Sequence, residues 1–173
     1  MKHLVLCRHA KSSWKYPVED CYRPLNKRGL LNAVDMARCL ANEELNGKSF
    51  DCPQLILCSH SVRTYATALA YIEENRWPIS VLSLEPLIYE ASGQTLLSIL
   101  AKVKKSVNSL WLVAHNPGLN LLAEYLLGKE LENIVTSAQL HISLDIENWK
   151  ELLEQKTIVS KSKLVHWLQP SML

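Results

Sequence analysis

Two arginines and two histidines of this 173-residue chain stand where chemistry can be done, each just past an apolar run. Arg8-His9 follows His3–Cys7, and Ser59-His60-Ser61-Val62-Arg63-Thr64 follows Leu55–Cys58. His115-Asn116-Pro117-Gly118 follows Leu110–Ala114, and a further run, Val81–Leu84, leads into Leu87-Ile88-Tyr89-Glu90. Arginine offers phosphate oxygens a planar fork and keeps its charge. A neutral imidazole with one nitrogen held as an acceptor is a nucleophile near neutral pH. Helices expected to begin near Arg63 and Gly118 add backbone N–H groups and the positive end of the helix dipole. Together these groups suit phosphoryl transfer, in which preorganised cations and donors meet the charge on the equatorial oxygens.

The elements that must gather these residues show as an alternation. His3–Cys7 reads as a buried strand, and Asn26 can cap a helix with Leu30, Val34, Ala37 and Ala41 on one face. Leu55–Cys58 is a second strand, followed by a helix from about Val62 to Glu74. Val81–Leu84 is a third, and Leu96, Leu100 and Val103 mark the next helix. After Leu110–Ala114, Pro117 opens a helix running to about Leu127, which Gly128 stops. Leu140–Ile146 and Lys163–Leu168 read as two successive strands able to pair as a hairpin. The fold class expected is α/β, a three-layer α/β/α sandwich whose mostly parallel sheet carries one antiparallel edge strand. In such open sheets, ligands bind outside the carboxyl ends of the strands. The four polar segments would therefore share one rim. Gly is scarce, Pro is scattered and no repeat or linker is visible, so residues 1–173 read as a single domain.

Composition narrows the classes. An apolar fraction of 48%, a charged fraction of 21% and a net charge of +2 describe an ordinary globular protein and offer nothing to nucleic acid. The five cysteines (Cys7, Cys21, Cys39, Cys52, Cys58) are odd in number and form no C-x-x-C pair, which points to a reducing compartment. No run approaches the roughly 20 apolar residues that span a bilayer. The apolar stretch before Cys7 is too short for a signal peptide. A cytoplasmic protein is expected, with no membrane partner, and a monomer, since nothing suggests a coiled coil or a large apolar face.

The ordered set Arg8-His9, then Ser59-x-x-x-Arg63-Thr64, then His115 resembles the histidine phosphatase superfamily, also called phosphoglycerate mutase-like. An Arg-His pair alone carries little weight; the whole constellation in order carries much more. Gly usually follows the pair in that superfamily, and Ala10 departs from it. Within the superfamily the chain is most similar to the SixA-type phosphohistidine phosphatases. The features are Arg8-His9-Ala10-Lys11, Asp20 ahead of Arg23-Pro24-Leu25 and Arg28-Gly29, Thr136-Ser137-Ala138 before a late strand, and a compact length without a capping insertion. The resemblance implies a phosphoglycerate mutase-like fold and a phosphatase without cofactor or metal. His9 would be the phosphorylated nucleophile, with Arg8, Arg63 and His115, joined by Asn116, as the phosphate pocket. The substrate implied is protein phosphohistidine, as on a phosphotransfer domain of a signalling relay, with inorganic phosphate as product.

The acid is open at this stage. Superfamily phosphoesterases often carry a Glu after the third strand to protonate the leaving oxygen, which offers Glu90, with Asp20 as the other candidate. A functional Glu90 would favour a small-molecule phosphomonoesterase acting on a phosphate ester. A non-catalytic phosphate-binding module is a further alternative, and a mutase would need an insertion to enclose its substrate. A metal site on His9, His115 and Cys7 is opposed by the arginines at the same place. His60 is expected in solvent, His3, His141 and His166 in structural roles, and Cys7 as a small buried hydrophobe. Lys11, Arg23, Lys27 and Arg28 form either a guide for an acidic substrate or a solvated basic face.

Overall fold

The computed structural model describes residues 1–41 and 52–172. Among these, one six-stranded sheet has the order β3-β2-β4-β1-β5-β6. Its strands are β1 (Lys2–Arg8), β2 (Leu55–Cys58), β3 (Leu82–Leu84), β4 (Ser109–Ala114), β5 (Gln139–Leu144) and β6 (Ser162–Leu168). The strands β3, β2, β4 and β1 run parallel, and β5 is antiparallel to both β1 and β6. The reversal foreseen at the edge thus falls on β5, one strand in, and β6 forms the edge beside it. These last two strands do pair, but the connection is no tight hairpin. It contains a 3-10 turn, Trp149–Leu153, and a short helix.

The helices are α1 (Lys27–Ala41), α2 (Val62–Glu74), α3 (Gly93–Leu100), α4 (Gly118–Leu127) and α5 (Gln155–Lys161). One sheet face, with Val5, Cys7, Ile56, Cys58, Trp111 and Val113, packs on α1 and α2. The other, with Leu4, Leu6, Leu110 and Leu112, packs on α3, α4 and α5. Central strands buried on both faces explain why β1 and β4 read as continuous apolar runs rather than alternating ones. None of the helices described is long and apolar enough to cross a membrane.

The α1 stripe differs from the expected one. Asn26 does cap the helix, its Oδ1 accepting from the Gly29 N–H at 2.8 Å. The buried positions, however, are Gly29, Ala33, Met36, Ala37, Cys39 and Leu40, while Leu30 is 54% exposed. The side chain of Ala41 lies outside the described residues. Size is the reason: α1 starts hard against the loop after β1, and a Cβ on Gly29 would sit 2.1 Å from the Lys11 carbonyl oxygen. Small residues fit this approach and leucine does not. α3 ends at Leu100, a turn earlier than expected, and Val103 still packs on the core beyond it.

Candidate active site

Sheet register brings the site together. Arg8 pairs with Ala114 across β1 and β4, and Cys58 pairs with Val113 across β2 and β4. The backbone continues in step: His9 N–H donates to Ala114 O at 3.2 Å, and Ser59 N–H to Val113 O at 3.1 Å. Three strands therefore end level, and Arg8-His9, Ser59 and His115 emerge side by side. The His9 and His115 rings lie 5.1 Å apart between centroids.

The tautomer of His9 follows from its ring hydrogen bond. Nδ1 lies 2.8 Å from the Ala10 carbonyl oxygen, which can only accept. Nδ1 therefore carries the proton and Nε2 keeps its lone pair. Burial, then the charges of Arg63, Arg8 and Arg23, outweigh the help of that carbonyl and lower the His9 pKa to about 4. At neutral pH His9 is an uncharged imidazole with a fixed free nitrogen.

His115 is held from both sides. Its Nε2 lies 2.9 Å from Ser59 Oγ and its Nδ1 3.4 Å from Arg63 Nη2. A guanidinium can only donate, so Nδ1 accepts and Nε2 bears the hydrogen toward Ser59. Burial, His9 and Arg63 lower its pKa to about 3. Thr64 stitches this segment, its Oγ1 within 2.7 Å of Ser59 O, and Thr67 Oγ1 accepts from Ala10 N–H at 2.9 Å. The Ser-x-x-x-Arg-Thr spacing thus puts Ser59 under His115 and Arg63 one helical turn above it.

Each arginine is anchored by one edge. Arg63 donates to the Asp20 carbonyl oxygen at 2.6 Å and to Asp20 Oδ2 at 2.8 Å. Arg8 Nη1 donates to Ile134 O at 2.6 Å. Its Nε is buried with no partner among the described residues. Nε and Nη2 share the side edge of a guanidinium, the fork that matches two phosphate oxygens, and at Arg8 that edge is unengaged.

Asp20 is brought to the site in a different role from an acid. Its carboxylate takes Arg23 Nη1 at 2.7 Å, Arg63 Nη2 at 2.8 Å and the Tyr89 hydroxyl at 2.7 Å. Partial burial pushes its pKa up, but hydrogen bonds from Tyr89, Arg23 and Arg63 prevail and hold it at about 2. An ionised carboxylate has no proton to give at neutral pH; here it orients Arg63. Glu90 is not brought in. It is exposed, with left-handed backbone (φ 51), and makes no hydrogen bond or ion pair with any described residue. Its neighbour Tyr89 faces the site instead, its ring 5.5 Å from that of His115 and 5.8 Å from the Arg63 guanidinium carbon.

Asn116 also departs from expectation. Its Nδ2 donates to Asn133 Oδ1 at 2.9 Å and to Ile134 O at 3.1 Å, leaving only the acceptor Oδ1 free. As placed, the side chain cannot donate to phosphate. It fixes the Ile134 carbonyl that in turn holds Arg8.

Around this core, Arg23 lies under the exposed Trp14, 3.2 Å from ring centroid to guanidinium carbon, and bonds Ser12 Oγ. His60 is exposed, as expected, yet its ring packs 5.5 Å from Tyr89. Cys7 sits in the core below, and burial raises its thiol pKa to about 12, against a small lowering by Tyr71. His141 is buried in the sheet, bonding Gln139 at 3.1 Å. Tyr89 and Ser59 carried no role in the sequence reading, although both lie in the segments it flagged after strands.

No family model matches the chain, and a search of curated proteins finds no match. Solved structures do match. A protein from Agrobacterium tumefaciens, provisionally named the phosphohistidine phosphatase SixA, superposes with a TM-score of 0.78 at 25% identity, over 98% of both chains. The chain has the fold of the histidine phosphatase superfamily. A protein histidine phosphatase SixA complexed with tungstate has a TM-score of 0.76 at 18% identity, again over 98% of each chain. A mycobacterial glucosyl-3-phosphoglycerate phosphatase has a TM-score of 0.67 at 15% identity, over 96% of this chain and 99% of its own. These last two likenesses speak for the superfamily fold alone.

Proposed function

We propose that this histidine phosphatase superfamily member removes phosphoryl groups from protein phosphohistidine through a covalent phospho-His9. The observation that carries the reading is a nucleophile without an acid. His9 offers a free Nε2 beside Arg8, Arg63 and His115. Of the two carboxyls the sequence offers, Asp20 is held ionised by two arginines and Glu90 stands apart in solvent. An ester leaving group at this site would depart as an alkoxide or phenoxide without a positioned proton. The nitrogen of a phosphohistidine is protonated readily by water and leaves as neutral imidazole.

In the first step the His9 Nε2 lone pair forms a P–N bond as the substrate P–N bond breaks, and the leaving imidazole nitrogen takes a proton. Water then attacks phosphorus, the His9–P bond breaks, and inorganic phosphate leaves with the released proton shared between it and solvent. The Nε–Nη2 edge of Arg8, together with Arg63 and His115, meets the charge on the transferred oxygens. Helices α2 and α4 begin at this rim without side-chain caps, whereas α1 and α3 are capped by Asn26 and Ser92. Uncapped N–H groups beside the pocket favour an anion. Exposed Trp14 (78%), Tyr16 and Tyr22 on the loop after β1, with exposed Lys11, Lys27 and Arg28, suit the surface of a protein substrate better than an enclosed metabolite.

The test is hydrolysis of a phosphohistidine-bearing phosphotransfer domain beside an aryl phosphate, at neutral pH with chelator. The expected result is fast loss of phosphohistidine and ester turnover slower by at least about 100-fold. Strong ester turnover with phosphohistidine untouched would overturn the substrate assignment.

A further inference from the structure

Among the described residues, four buried side-chain polar atoms lack a hydrogen-bond partner: Arg8 Nε, Asn116 Oδ1, Ser137 Oγ and Trp167 Nε1. Folded proteins leave few such atoms unpaired. Two of these atoms, Arg8 Nε and Ser137 Oγ, belong to neighbouring residues at the candidate site, which points to a shared missing acceptor there; Asn116 Oδ1, itself an acceptor, is not served by such a group. Arg8 Nε and a serine hydroxyl can donate, as a phosphoryl group requires.

Ser137 carries two penalties at once. It is fully buried with its hydroxyl unpaired, and its φ of 68 places it in the left-handed region. Serine adopts that conformation at a cost that glycine avoids. A glycine here would remove both penalties. Its backbone shows how close it stands to the nucleophile: one N–H is shared between Arg8 O and His9 O, each at 3.2 Å. The reversed direction of β5 makes this possible, because the segment before that strand, rather than the one after it, arrives at the rim.

We propose that Ser137 is a further ligand of the transferred phosphoryl group, its Oγ–H donating to an oxygen while the Nε–Nη2 edge of Arg8 takes another. The inference rests on the reading of His9 as the phosphoryl acceptor, but not on the identity of the substrate. A hydroxyl adds a donor without adding charge. It can turn to follow the oxygens as the group passes through its planar transition state. Strained serine backbone is thereby retained for a bond that forms only when the group is present.

The experiment uses the full chain with Ser137→Gly and Ser137→Ala, and tungstate as a redox-inert phosphate mimic, titrated by calorimetry. Glycine relaxes the backbone, so Ser137→Gly should melt no lower than the parent, while both variants bind tungstate about tenfold or more weakly. Phosphohistidine kcat/KM should fall by about 100-fold in each. Parental tungstate affinity in Ser137→Gly overturns the proposal, and if phosphohistidine hydrolysis by the parent persists, the proposed function stands without it. Weakened tungstate binding in both variants, with no phosphohistidine hydrolysis by the parent, supports the ligand and overturns the substrate reading. A parent that binds no tungstate overturns both.

Discussion

The two ends of β1 each carry a cation, and the chain treats them in opposite ways. At the start, Lys2 is buried, and its Nζ donates to Lys105 O, to Val107 O at 2.9 Å and to Asn108 Oδ1 at 2.8 Å. Three hydrogens meet three acceptors, with the Trp149 ring 6.0 Å away. At the other end, Arg8 spends one nitrogen on Ile134 and leaves Nε buried and unpaired. A satisfied buried cation supports the fold, and an unsatisfied one is held ready for something else. Seven residues of a single strand thus join a structural end to a chemical end.

The sharpest way to break that comparison is to delete, in turn, Lys2 and the nucleophile that stands next to Arg8. His9→Ala should lower phosphohistidine turnover by more than about 1000-fold, with the melting temperature little changed. Lys2→Ala should do the reverse. It removes the three hydrogen bonds that tie the start of β1 to residues 105–108 and should cost about 1–3 kcal/mol in denaturant unfolding, while kcat/KM of the folded fraction holds. A Lys2 variant that loses activity without losing stability would erase the distinction.

Smaller effects sharpen it. Asp20→Asn removes the charge that orients Arg63 and should reduce kcat/KM by about tenfold, seen as a rise in KM for substrate together with weaker tungstate binding. The Glu90→Gln variant should change phosphohistidine hydrolysis by less than about twofold, within the scatter expected of an exposed residue; a large loss would reinstate Glu90 as an acid.

The acid limb distinguishes the ends as well. His9 and His115, with pKa values lowered to about 4 and about 3, bind fewer protons in the folded than in the unfolded chain, where imidazole titrates near 6.5. Their neutral forms cost nothing above pH 6.5, and stability is then lost progressively as pH falls toward 4. Buried His141, lowered to about 3, adds a contribution of the same sign. Nitrogen-detected NMR should find His9 as the Nδ1–H tautomer down to about pH 4, and titration of its ring near 6.5 would contradict the site geometry.

Much of this was legible before the structure. Apolar runs that stop at Arg8, Ser59 and His115 announce buried strands delivering polar ends, and the alternation of elements puts those ends on one rim. Sequence could not give the register that levels Arg8 with Ala114 and Cys58 with Val113, because register is a property of pairs of strands. The α1 stripe was misjudged by one position because periodicity weighs Leu30 above Gly29, whereas close approach to Lys11 selects the smaller residue. Glu90, offered with Asp20 as the acid, sits on a left-handed turn that leaves its carboxylate in solvent, while the phenol of Tyr89 beside it meets Asp20. Asn116, which the resemblance places in the phosphate pocket, has its amide hydrogens spent on Asn133 and Ile134.

The Ile134 carbonyl holds both Arg8 Nη1 and Asn116 Nδ2. Its side chain answers to the core, but its oxygen belongs to the backbone and would be supplied by any amino acid. Substitution scanning is therefore blind to it. The constraint falls on chain length: one residue inserted or deleted between Gly128 and Ile134 would carry that oxygen out of reach while leaving Arg8, His9, Arg63 and His115 on their own elements. In this segment, tolerance to exchange and intolerance to gaps should coexist.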